Sequence, residues 1–138
     1  MYKKGYTADM HIYEQILIDH FRNPKNKGTI PSPDFSTQQY IPSCGDTVSM
    51  QGVVKDNVLI QVAFMGSGCV ISQAAASLLT ECALGKSLDV LLALDKNNML
   101  SMLNMQLGPM RVKCAELALY ALQEGLREYK KSGNNDHA

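Results

Sequence analysis

Hydrophobic and polar positions along the chain first fall into a clear pattern between Asp9 and Arg22. Ile12, Ile16 and Phe21, with Tyr13, Leu17 and His20, recur at helical spacing and predict an amphipathic helix with Asp9 as its N-cap. Asn23-Pro24 ends it, because the residue before proline is pushed out of the α region. Lys25 to Ser36, carrying Gly28, Pro31 and Pro33, reads as a loop, and an extended segment is expected near Gln38 to Ile41. Two alternating runs follow. Thr47 to Lys55 places Val48, Met50 and Val54 on one face, and Val58 to Met65 places Val58, Ile60, Val62 and Phe64 on one face. Asp56-Asn57 between them tolerates the positive φ of a two-residue hairpin turn.

Gly66-Ser67-Gly68 is expected to break the second strand. A helix follows from Cys69 to Leu84, with Ile71, Ala74, Ala75, Leu78 and Cys82 on its apolar face and Gly85 just past its end. Ser87 and Asp95 are N-cap candidates for two short helices, to about Ala93 and Leu103. Met105 to Gly108 reads as a connection. Pro109 suits the first helical position of a last helix reaching Lys130, with Val112, Leu117, Leu119, Tyr120 and Leu122 largely buried. The polar segment 131–138 is expected to be a disordered tail. A helix, a small antiparallel sheet (the hairpin plus a third strand) and then several packed helices make an α+β fold. The 138 residues suit one domain, 1–138.

Composition narrows the partners. Lys and Arg total 13, as do Asp and Glu, so net charge gives no case for nucleic acid or an anionic membrane as a partner. No apolar run approaches the roughly 20 residues of a membrane helix, and Lys3 and Lys4 are not followed by the apolar stretch of a secretory signal. The expected compartment is therefore cytoplasmic, with four reduced cysteines acting as ligands, nucleophiles or core residues rather than disulfides.

Three of those cysteines sit at element junctions. Cys44 precedes the first hairpin strand, Cys69 starts a helix, and Cys114 lies in the first turns of the last helix. Helix N-termini favour thiolate, the form that attacks and ligates. Asp46 is two residues from Cys44, so in an extended segment both side chains share a face. Three thiolates and a carboxylate can hold zinc, or iron in a small cluster. Position alone leaves a shared site and three separate core cysteines equally open. Cys82, on an apolar helix face, is expected in the core. Met99, Met102, Met105 and Met110 read as adaptable core or as a partner surface. No phosphate loop, dinucleotide fingerprint or HExxH stretch is present, and no histidine lies near the three cysteines in sequence.

Taken together, these residues resemble the IscU/SufU/NifU-N-terminal family of iron–sulfur cluster assembly scaffolds. The resemblance spans about Tyr13 to Leu126. It rests on Tyr13 to Gly28 (YEQILIDHFRNPKNKG), Cys44-Gly45-Asp46, Gly66-Ser67-Gly68-Cys69 followed by Ile71-Ser72, and Cys114 opening the last helix. It implies that Cys44, Cys69 and Cys114 are cluster or zinc ligands and persulfide acceptors, that Asp46 is a fourth, labile ligand, and that Gly45 and Gly68 support them. It also implies a transient [2Fe–2S] cluster, with zinc or iron at the same site. The implied partners are a pyridoxal-phosphate cysteine desulfurase and apo-protein acceptors. The implied role is a scaffold rather than an enzyme; a zinc-dependent sulfur acceptor of the desulfurase, and a purely structural zinc site, are the competing readings.

Two departures shape these expectations. Lys113 stands where IscU-type proteins carry a histidine, inside Arg111-Val112-Lys113-Cys114, which looks like SufU. Yet only 44 residues separate Cys69 from Cys114, close to the IscU length. Lys113 is not a ligand, and with Arg111 it is expected to lower the Cys114 pKa and make that thiol the more readily persulfidated. Leu107-Gly108-Pro109-Met110-Arg111 matches IscU's chaperone-binding stretch poorly, which puts a dedicated Hsp70-type chaperone in doubt.

Overall fold

The structure, a computed structural model, describes residues 8–43, 45–104 and 107–137, with side chains over 15–43, 45–104 and 107–132. The elements in chain order are α1 (Ala8–Arg22), β1 (Phe35–Ile41), β2 (Asp46–Lys55), β3 (Val58–Ser67), α2 (Val70–Ala83), α3 (Leu88–Leu92), α4 (Lys96–Leu103) and α5 (Pro109–His137). The α+β expectation holds, and the third strand is β1. It begins three residues earlier than expected and forms the edge of an antiparallel sheet in the order β1-β2-β3. Helix α1 begins at Ala8, so Asp9 falls inside its first turn.

Strand β2 alternates without a break: Asp46, Val48, Met50, Gly52 and Val54 all face inward. The turn to β3 has Asp56 at φ 55° and Asn57 at φ 64°, the left-handed pair that a two-residue hairpin requires. Strand β3 departs from the expected single face. Val54 pairs with Leu59 but Val53 pairs with Gln61, so Ile60 is an extra residue, a β-bulge. The bulge resets the alternation. Leu59 is buried before it and Val62 and Phe64 after it, while Ile60 is exposed. The strand then runs on through Gly66 to Ser67 before the chain turns at Gly68.

Helices α2 and α5 pack on the inner face of the sheet, and α1 packs on α2. Being covered on several sides, α2 is buried at Ile71, Ser72, Gln73, Ala74, Ala75, Ala76, Ser77, Leu79, Thr80 and Ala83, well beyond the one face expected. Its alanines let neighbouring backbones come close. Cys82 is the exception that corrects the sequence reading: it is exposed, not in the core. Polar groups buried on α2 are bonded to the chain that crosses it. The Lys25 N–H donates to Ser77 Oγ at 2.7 Å, and His20 Nδ1 lies 2.7 Å from the same hydroxyl. This clamp fixes the end of α1; Leu17 and His20 face inward there, whereas Ile16 and Phe21 are exposed.

Phe35 sets the spacing between sheet and helix. Its ring lies against Gly52 on β2 and Gly125 on α5, and a Cβ at either glycine would overlap it. Thr37 Oγ1 donates to the Ala121 carbonyl at 2.6 Å and ties β1 to the same helix. Leu117, Leu119, Leu122 and Leu126 complete the core from α5, while Tyr120, expected inside, is half exposed and donates to Glu116. Helix α5 continues past Lys130 to His137, taking in most of the segment expected as a tail. Ser87 and Asp95 cap α3 and α4 as expected, Asp95 through a reciprocal capping box with Asn98. Met99 is fully buried and Met110 is half exposed, so those two methionines do not form one surface; Met105 lies outside the described residues.

Candidate metal centre

Three elements deliver one side chain each to a single point. Asp46 is the first residue of β2 and faces inward by strand alternation. Gly45, at φ 78°, closes the preceding turn with its N–H on the Ile41 carbonyl at 2.8 Å and so places Asp46 at the strand's start. Cys69 is the N-cap of α2, with extended backbone and no side-chain cap bond of its own. Cys114 reaches in from α5. The Asp46 carboxylate and the Cys69 and Cys114 sulfurs lie within 4.8 Å of one another. Cys44, expected as a further ligand, lies outside the described residues.

Gly68 makes this convergence possible. Its φ of 135° suits glycine, and a Cβ there would run into the Asp46 carboxylate and Cα. With the glycine in place, the Cys69 N–H donates to Asp46 Oδ1 at 3.2 Å. That bond satisfies the N-cap residue's own N–H and ties the start of α2 to β2.

Asp46 is only 3% exposed, and its Oδ2 has no hydrogen-bond partner. Burial alone would raise its carboxyl. The polar groups around it, the Cys69 and Cys114 thiols, the Cys69 N–H on Oδ1 and the nearby Ser72 hydroxyl, outweigh burial and hold it below the ordinary value. Cys114 moves the opposite way to the sequence expectation. Burial first, then its hydrogen bonds to and the negative charge of Cys69 and Asp46, push its thiol well above the ordinary value. The reasons are visible in the geometry. Cys114 is the sixth residue of α5, beyond the first turn where a helix end favours thiolate. Arg111 and Lys113 are exposed, and no cation is among the groups that act on this thiol.

Three acidic groups packed this closely cannot all ionise without a positive charge among them. A divalent cation satisfies that condition by taking the place of the thiol protons. Zinc, with bonds of about 2.3 Å to sulfur and about 2.0–2.2 Å to oxygen, holds its ligand atoms a little under about 4 Å apart. The three side chains lie close enough to share one ion, and the buried, unpartnered Oδ2 is a donor that such an ion would satisfy. The donor set fits the group. Cys82, near the other end of α2, is about 20 Å along the helix from Cys69 and takes no part.

Ser72 and Gln73 also belong to this site. The sequence assigns no role to Ser72 or Gln73. The available signal was position: the third residue of a helix that begins at Cys69 turns back toward the N-cap.

Comparison with known proteins places the chain in a family. Residues 12–136 match the NifU-like N terminal domain, and the chain belongs to that family. It is 34% identical over 122 residues to the iron–sulfur cluster assembly scaffold protein IscU of Escherichia coli K12, covering 86% of this chain and 94% of that protein. It is 28% identical over 141 residues to the zinc-dependent sulfurtransferase SufU of Bacillus subtilis, covering 90% and 94%. Among solved structures, a putative SUF-system scaffold protein from Fervidobacterium islandicum AW-1 superimposes with a TM-score of 0.73 at 26% identity, covering 84% of this chain and 97% of that one. The family is thus that of the iron–sulfur cluster assembly proteins IscU and SufU, with resemblance to both types.

Proposed function

We propose that this protein is a scaffold for iron–sulfur cluster assembly, on which sulfur from a cysteine desulfurase and iron combine into a transient [2Fe–2S] cluster that passes to apo-proteins. The observation that carries this reading is the meeting of Asp46, Cys69 and Cys114, with a buried carboxylate oxygen left unpartnered. Cys44 is the proposed fourth ligand. Thiolates suit iron, and the harder carboxylate oxygen is the ligand a departing cluster releases most readily. Of the two sulfurs described, that of Cys69 is at the surface and Cys114 is buried, so Cys69 is the proposed first acceptor. Its thiolate attacks the outer sulfur of the desulfurase persulfide, which keeps its own thiolate as the sulfur moves across. The proposed setting is the cytoplasm. Among the described residues, no helix is long and apolar enough to cross a membrane.

A second reading has specific support in Arg111-Val112-Lys113-Cys114 and in the likeness to a zinc-dependent sulfurtransferase. Here zinc occupies the same residues and the protein only accepts sulfur. Anaerobic mixing with a desulfurase, cysteine and ferrous iron separates the two. Visible absorption that requires Cys44, Cys69 and Cys114 but not Cys82, followed by activation of an apo-ferredoxin, supports the scaffold. Absence of a cluster, with desulfurase turnover accelerated only by the zinc-loaded protein, supports the sulfur acceptor instead.

A further inference from the structure

Gln73 is buried on α2, one turn beyond Cys69, and its amide reaches across to the sheet. Nε2 donates to the Thr47 carbonyl at 3.3 Å and to Ser72 Oγ at 3.0 Å. The Ser72 hydroxyl in turn donates to the Cys69 carbonyl at 3.1 Å. One run of hydrogen bonds thus joins the main chain of Thr47, next to Asp46, to the main chain of Cys69.

This brace is built at some expense. Turning the Gln73 amide over would set its oxygen against the Thr47 carbonyl, which can only accept, so the donor end is fixed. The oxygen, Oε1, is left buried without a hydrogen-bond partner. For stability alone, an apolar side chain of the same size would avoid that orphan. The amide also needs room. A Cβ at Gly66 would overlap the Thr47 carbonyl oxygen and crowd Gln73 Oε1, so the bare glycine on β3 lets the two meet. A second tie between β2 and the start of α2 is the Cys69 N–H on Asp46 Oδ1, which draws on the carboxylate itself. The Gln73 brace ends on main-chain carbonyls and takes no oxygen from Asp46.

We propose that Gln73 is a positioning residue of the metal centre: its amide, directly at Thr47 and through Ser72 at Cys69, fixes the spacing between the strand that carries Asp46 and the helix start that carries Cys69. This rests on the reading of Asp46, Cys69 and Cys114 as ligands. Outer partners that orient a metal's ligands typically change its affinity by about 10–100-fold when removed.

The test uses the full chain with Co²⁺, for its thiolate charge-transfer and d–d bands, and with Zn²⁺, for affinity by chelator competition. Gln73→Met keeps the volume and removes the donors. It is expected to weaken zinc about tenfold and to shift the Co²⁺ d–d bands. The urea midpoint of the metal-free protein should move little, because the unpartnered oxygen leaves with the lost bonds. Ser72→Ala cuts one arm of the brace and should cost less zinc affinity, with little further loss when added to Gln73→Met. Unchanged zinc affinity in Gln73→Met overturns the proposal. So do losses that add in full in the double variant. A lowered urea midpoint with unshifted d–d bands makes Gln73 a packing residue and overturns it too. If near-UV circular dichroism shows that Gln73→Met does not fold, Ser72→Ala decides in its place by the same two metal readouts. A wild-type protein that shows no thiolate–Co²⁺ band removes the ligand reading itself, and this inference with it. A normal wild-type band with an indifferent Gln73→Met removes only this inference.

Discussion

Helices α4 and α2 begin in contrasting ways. Helix α4 starts at Asp95, whose carboxylate accepts the Asn98 N–H at 3.0 Å while the Asn98 side chain accepts the Asp95 N–H at 2.8 Å. Every group there is spent on local stability, and four consecutive residues suffice. Helix α2 starts at Cys69, which caps nothing with its side chain and receives its carboxylate from Asp46 on another element. The first arrangement is closed. The second brings a sulfur, a carboxylate and a neighbouring thiol within 4.8 Å of one another. A helix start whose N-cap side chain makes no cap bond keeps that sulfur available to its neighbours.

The strongest way to break the comparison is to remove a ligand. Cys69→Ala and Cys114→Ala are each expected to weaken zinc by more than about 100-fold, beyond what an outer partner costs, while Cys82→Ala leaves it unchanged; chelator competition reads all three. Unchanged affinity in Cys114→Ala would place the centre elsewhere.

Gly68→Ala comes next. It forces a Cβ onto the Asp46 carboxylate at a backbone angle that alanine rarely adopts, and is expected to cost about 2 kcal/mol or more of stability together with metal affinity. Urea unfolding of apo and zinc-loaded protein measures both losses. A variant as stable as wild type would show that the carboxylate moves aside freely.

The proton balance gives a third test, on the metal-free protein. The Cys114 thiol is raised in the fold, so above its ordinary value of 9.0 the unfolded chain gives up a proton that the native state keeps. Stability should therefore fall as pH rises above 9, by about 1.4 kcal/mol per unit for this one group. Asp46 acts at the other end. Its lowered carboxyl contributes stability that is present above 3.8 and is lost as pH falls through the lower folded value. Comparing the alkaline slope with that of Cys114→Ala isolates the thiol, and equal slopes would contradict its assignment.

The smallest effect belongs to the closed helix start. Asp95→Ala should cost about 1 kcal/mol and leave zinc affinity untouched. A metal effect there would mean that α4 and the centre are coupled.

Much of this was legible in the sequence because it is local. Asp56-Asn57, Ser87, Asp95 and Gly85 each act within a few residues, and each lies where turn and cap chemistry puts it. What escaped depends on partners that local patterns do not contain. The bulge at Ile60 arises only in the pairing of β3 with β2, and it turns that residue outward. Cys82 looks like a core residue on a helical wheel, but several neighbours share α2 unevenly and leave that position uncovered. Tyr120 sits among buried leucines and still faces solvent, bonded to Glu116. At the centre, Asp46, Cys69 and Cys114 were identifiable as candidates, whereas the direction of the Cys114 shift was not. The sequence displays Arg111 and Lys113 beside it and hides the carboxylate and thiol that meet it in space.

The distances along the chain between these three residues have a consequence for how the protein matures. Cys69 is 23 residues from Asp46, and Cys114 is much farther on, so the three do not meet through a locally formed turn. Bringing them together carries the entropy of closing long loops and waits for the sheet, α2 and α5 to dock. A nascent or partly folded chain therefore holds scattered thiols and no centre. On the proposed reading, an ion held by all three binds only after tertiary assembly and then ties α5 to the sheet and α2.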